Sequence, residues 1–150
     1  MCKKESIIIQ TSLNIIFPMI IGLLIYIFLR PQNIIFVQYI GFIDKLSFIS
    51  EIKMYLSKMS IPNWFIYSLP GAIWVYSLTY FMGMLWLSQK TKWKYFWISI
   101  APILAIIYEI GQKIHVILGT FDLLDMFFIL LGYILALLSL KIKGVIYIEK

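Results

Sequence analysis

Charge is what this sequence has least of. Asp, Glu, Lys and Arg make up 13% of its 150 residues, and only seven residues are acidic. A soluble domain is about a quarter charged and about half apolar. Here 62% of the residues are hydrophobic, and the mean hydropathy is +0.93. Too few polar groups are present to cover a surface in water, which excludes an ordinary soluble domain. The single cysteine, Cys2, excludes an internal disulfide and lies outside any C-x-x-C spacing. Reversible acylation is open to it. With one histidine and one cysteine, no three- or four-ligand set has zinc-like spacing, and neither metal nor cofactor is expected. There is no P-loop and no G-x-S-x-G elbow. The net charge of +6 comes from basic residues scattered between apolar stretches. They form no stripe with interleaved aromatics on a soluble fold, so nucleic acid is not an expected partner.

What remains is an all-α, polytopic membrane protein of one domain. Four apolar stretches are long enough to cross a bilayer core of about 30 Å as helices. They are residues 7–29, 64–87, 95–116 and 123–140. The first is preceded by Lys3 and Lys4, as a signal peptide would be. Its apolar part is too long for one, and no A-x-A-like site follows. Pro18 is expected to kink the first span, and Pro70-Gly71 to bend the start of the second. Between these spans, the apolar piece 34–43 is too short to cross.

Residues 42–59 place Ile43, Leu46, Ile49, Ile52, Leu56 and Met59 at helical spacing, with Asp44, Lys45, Glu51 and Lys53 among those between them. This predicts an amphipathic helix on the membrane surface or packed against the spans, rather than a fifth span. If the N-terminus is inside, the cytoplasmic pieces carry eight basic residues: Lys3, Lys4, Lys90, Lys92, Lys94, Lys141, Lys143 and Lys150. The other side carries five, Arg30, Lys45, Lys53, Lys58 and Lys113. The excess predicts that both termini are cytoplasmic.

One stretch runs against the apolar background: YEIGQKIHVILGTFDLLDMFFILLGY, residues 108–133. Glu109 lies about 22 Å along the helix from Lys94, and Asp125 about 24 Å from Lys141. The two carboxylates therefore sit at one height, on neighbouring antiparallel helices. Gln112 shares a helix face with Glu109, and Asp122 lies three residues before Asp125. Ionisable groups at this depth face a bundle interior or a wet cavity. Two carboxylates brought together repel, which favours holding a proton, a cation or a polar headgroup. Glu109, Gln112, Asp122 and Asp125 are thus the candidate binding residues, with Lys113 and His115 near enough to add positive charge. A structural role competes with this reading. Asp122 and Asp125 also suit the capping of the fourth helix, and Glu109 with Lys113 suits a plain i, i+4 pair. The small residues Ala101 and Ala105, and Gly132 and Ala136, are spaced for close helix contacts.

The same residues resemble the VanZ-like family of small bacterial membrane proteins. That family carries a Glu and a Gln three apart, then a Gly-Arg turn, then an Asp with Asn four and Gly seven residues later. Here EIGQ supplies Glu109 and Gln112, GTFDLLD supplies Gly119, Asp122 and Asp125, and Gly132 stands seven after Asp125. Thr120 takes the place of the Arg and Ile129 that of the Asn, while Phe48 stands where an upstream element of the family has His. The resemblance covers roughly residues 95–140. It implies a four-helix bundle in the bacterial inner membrane, linked to the cell envelope and to glycopeptide antibiotic resistance. The expected partner is a membrane lipid or a lipid-linked envelope precursor, bound or modulated at an outer-leaflet carboxylate cluster. The alternative is a non-enzymatic accessory subunit whose polar residues meet the helices of a partner protein. A membrane-embedded enzyme would need a nucleophile or metal set that the sequence does not offer.

Overall fold

The computed structural model describes residues 9, 11–30, 47–86 and 89–142. Among these residues there are helices and no strand. Helix α1 (Ser12–Leu29) opens with one turn of π-helix, Ser12–Ile16, and continues as α-helix from Phe17. A short helix α2 (Ser47–Leu56) follows, then α3 (Asn63–Trp86), α4 (Trp93–Lys113) and α5 (Leu123–Ile142). Helix α3 is the hub. It packs most extensively on α5, and also on α4 and α1, while α2 packs on α1.

The expected kink at Pro18 takes a specific form. Pro18 has no N–H to return to the preceding turn, and its ring crowds that turn. The chain widens into the π-helical turn just before it, where Asn14 and Ile15 are buried. Pro70 lies inside α3, which nevertheless runs unbroken through Gly71 to Trp86. How α3 tolerates this proline becomes clear at the candidate site.

Polarity is arranged inside-out. Ser68, Ser77, Thr79 and Glu109 are buried, whereas Leu104, Ile107, Phe127, Leu130 and Ile134 are exposed. Lipid attracts apolar side chains as well as a protein core does, so helices in lipid turn small and polar residues inward. On α5 the buried line is Ile129, Gly132, Ala136 and Leu140, at spacings of three and four. It faces α3 so closely that a Cβ on Gly132 would run into the Ala72 backbone carbonyl. The expected contact role of Gly132 and Ala136 is seen here, and Ala136 joins Ile15, Tyr80 and Leu140 in the core.

Among the described residues, three helices are long and apolar enough to cross a membrane: Ser12–Leu29, Trp93–Lys113 and Leu123–Lys141. With their apolar outer faces they mark a membrane-embedded protein. Helix α3 is longer, but its serines, threonine, tyrosines and proline make it less apolar. That polarity is directed at the other helices: Ser77, Thr79 and Tyr80 are each fully buried. Within 42–59 a helix is seen from Ser47 to Leu56, and residues 42–46 lie outside the described residues. Lys53, expected to face water, is half-buried with its amine nitrogen closed off, while Met54 and Tyr55 are exposed.

Candidate functional site

The four candidate residues reach their places through the two ends of one short connection. Helix α4 stops at Lys113 in a Schellman arrangement. The Val116 N–H donates to the Gly111 carbonyl at 3.0 Å, and the His115 N–H to the Gln112 carbonyl at 3.1 Å. His115 takes the left-handed conformation this motif requires, with φ of 59°. The chain then returns through Gly119 and Thr120 to Asp122, which starts α5. The Asp122 carboxylate accepts the Leu124 N–H at 2.9 Å, an N-cap hydrogen bond. Asp122 therefore performs the capping role open to it from the sequence. Asp125 does not: one of its oxygens is buried with no hydrogen-bond partner.

Glu109, Gln112, Asp122 and Asp125 all line one cavity of about 1180 Å³. Glu109 is only 7% exposed. The Asp122 backbone hydrogen bonds to its carboxylate, and the charges of Asp125 and Asp122 both act on it. Three acceptor oxygens in this wall are buried without any partner: Glu109 Oε2, Gln112 Oε1 and Asp125 Oδ1. A buried acceptor left unpaired costs about 1–3 kcal/mol, and more if charged. Three of them together mark a place where donors are missing. Gln112 fits only because position 119 is glycine. Gly119 has φ of 141°, a value reserved for glycine, and a side chain there would collide with the Gln112 amide.

Lys113 and His115 do not join this cluster. Both are exposed; Lys113 sits 5.1 Å above the Phe121 ring and pairs with no carboxylate among the described residues. The positive group in the cavity is instead Arg30, from the end of α1. Its Nη2 donates to the Tyr67 carbonyl at 2.9 Å and its Nε to the Ile66 carbonyl at 3.4 Å. These are the carbonyls that residues 70 and 71 would serve in a regular α-helix. Pro70 has no N–H to give, so Arg30 supplies the missing donor to α3. Tyr26 and Tyr67 flank the guanidinium, their ring centres 4.7 and 5.6 Å away. In the sequence Arg30 is one basic residue beside a span and Pro70 a bend. The legible signal was the proline, whose orphaned carbonyl requires a donor from outside its own helix.

The cavity also takes in Asn63, Trp64 and Ser68 from the start of α3, and Leu118 and Thr120 from the connection. Its wall thus uses the end of α1, the start of α3, the end of α4 and the start of α5. All four lie at one end of the bundle. A second cavity of about 410 Å³, between α4 and α5, is lined mostly by apolar side chains and by Lys141. Among the described residues no carboxylate lines it, and its Ser99 and Tyr133 hydroxyls satisfy one another at 2.8 Å. No protein-family model, curated protein or solved structure matches this chain.

Proposed function

We propose that the chain is a four-span membrane protein that binds a polar group of a lipid or lipid-linked envelope compound in the cavity at one end of its bundle. The 24 residues of α3 reach about 36 Å as a helix, enough to cross a hydrocarbon core of about 30 Å. It carries no charged residue, and its Ser68, Ser77, Thr79 and Tyr80 are buried. With α3 as a span, α2 lies beside the bundle near the membrane surface. The excess of lysines at the opposite end supports a reading with both termini in the cytoplasm and the cavity facing outward, in a bacterial inner membrane if the family likeness holds. The likeness of EIGQ and GTFDLLD to VanZ-like proteins agrees with an envelope role and with a link to glycopeptide tolerance.

The observation that carries the binding reading is the set of three orphaned acceptors, on Glu109, Gln112 and Asp125, in one cavity wall. A bound polar group supplies the donors they lack. The test is to purify the full chain in mild detergent and identify what co-purifies, for the wild type and for Glu109→Gln. A charged hydrogen bond contributes about 1.5–3 kcal/mol, so the substitution should lower retention of the bound species about tenfold or more. Equal retention by both forms overturns the reading. A stoichiometric protein partner that Glu109→Gln releases, with no lipid bound, would point to the accessory-subunit alternative.

A further inference from the structure

The cavity keeps its opposite charges apart. Arg30 and the carboxylates line the same space, yet Arg30 forms no ion pair with any described residue. Its two hydrogen bonds to α3 occupy two of the five N–H groups a guanidinium has. The remainder form a fork suited to a phosphate. On the α4 and α5 side, Glu109 is buried in the cavity wall, and its partnerless oxygen has the oxygens of Gln112 and Asp125 as companions in that state. One wall is thus short of three donors and also carries negative charge. The other wall offers a cation with donors to spare.

We infer that the cavity recognises a zwitterion, with a primary ammonium held by Glu109, Gln112 and Asp125 and a phosphate held by Arg30: the headgroup chemistry of an ethanolamine phospholipid. The inference rests on the reading that the cavity binds a polar headgroup, and names its class. A primary ammonium brings three N–H donors and one positive charge, matching three orphaned acceptors on a carboxylate-bearing wall. A quaternary ammonium brings the charge without the donors. A neutral sugar brings donors but leaves the carboxylates and Arg30 uncompensated. A lipid rather than a free headgroup is indicated by the rim, where Leu118 and Leu124 line the cavity and are exposed at 86% and 49%. Apolar side chains at a polar mouth suit the glycerol and acyl part of the same molecule.

The experiment is a competition on the full chain in mild detergent, read by native mass spectrometry. Ethanolamine, choline and glycerol phospholipids with identical acyl chains compete at equal concentration. The ethanolamine lipid should be retained about tenfold over each of the others. Glu109→Gln and Asp125→Asn should each remove that preference while helix content and thermal stability stay as in the wild type. The comparison between ethanolamine and choline lipids needs no variant, so the test stands even if a variant fails to fold. Equal binding of the choline lipid overturns the proposal, because charge without N–H donors would then suffice. Preference for the glycerol lipid, lost in Glu109→Gln, overturns the zwitterion but leaves the cavity as a headgroup site. Binding with no headgroup preference and no effect of Glu109→Gln overturns both. Displacement of the lipid by an equal concentration of free glycerophosphoethanolamine would show that the acyl part contributes nothing, and overturns the lipid assignment.

Discussion

Arg30 and Pro70 form one device built from two residues that sequence reading treats separately. A proline inside a helix normally exposes a carbonyl that nothing in its own helix can satisfy. In lipid that carbonyl cannot turn to water, so a neighbouring helix has to provide the donor. Arg30 does so at the Ile66 and Tyr67 carbonyls, and the α3 backbone in turn anchors the one cation that lines the cavity among the described residues. The coupling is measurable. Arg30→Met should lower stability by about 1 kcal/mol, a typical net value for lost hydrogen bonds at a partly exposed site. Pro70→Ala restores the N–H that the helix itself lacks. The double variant should therefore recover part of the loss, giving a non-additive cycle in thermal or denaturant unfolding in detergent. Additive effects would show that Arg30 and Pro70 act independently.

Helix ends and helix crossings decide where the candidate residues stand. The Schellman turn after α4 places a non-glycine residue, His115, at positive φ, where an L-residue costs about 1 kcal/mol. His115→Gly should stabilise the protein by about 0.5 kcal/mol, since glycine recovers the strain but loses more chain entropy. His115→Ala should bring no gain, because alanine keeps the Cβ. Unfolding midpoints of the two variants check this directly. At the α3–α5 crossing, Gly132 meets the Ala72 backbone, whereas Gly83 meets only the Leu140 side chain. A side chain can rotate away and a backbone carbonyl cannot. Gly132→Ala should therefore cost about 1–3 kcal/mol, the range for overpacking, and more than Gly83→Ala. Reversal of that order in thermal unfolding would contradict the crossing geometry.

For the whole molecule, the cavity wall is assembled from one end of α1, α3, α4 and α5, while the basic residues Lys90, Lys92, Lys94 and Lys141 cluster around the other. A chain that enters the membrane with its positive end inside therefore presents the cavity outward. Reporter fusions after Lys94 and after Lys150 should both read as cytoplasmic, and an insertion within the 114–120 connection should read as external. An external signal after Lys94 would reverse the orientation and place the cavity at the cytoplasmic leaflet.

The sequence by itself determined the class of the protein and which residues to consider for a candidate site. Scarce charge and long apolar stretches leave only a membrane-embedded helical chain, because too few polar groups exist to face water. Matched helical distances from Lys94 and Lys141 were enough to bring Glu109 and Asp125 to one height, since rise per residue is fixed. A short connection made their helices neighbours. Tertiary structure decided what local distance could not reach. It divided the two aspartates, giving Asp122 to the α5 cap and leaving an Asp125 oxygen unpartnered in the cavity wall. It turned Lys113 and His115 away and brought in Arg30 from the first helix, far off in sequence. Which helix repairs the Pro70 break, and therefore where the cavity's cation lies, depends on which helices pack against α3, and packing between distant segments leaves no periodic trace in the chain.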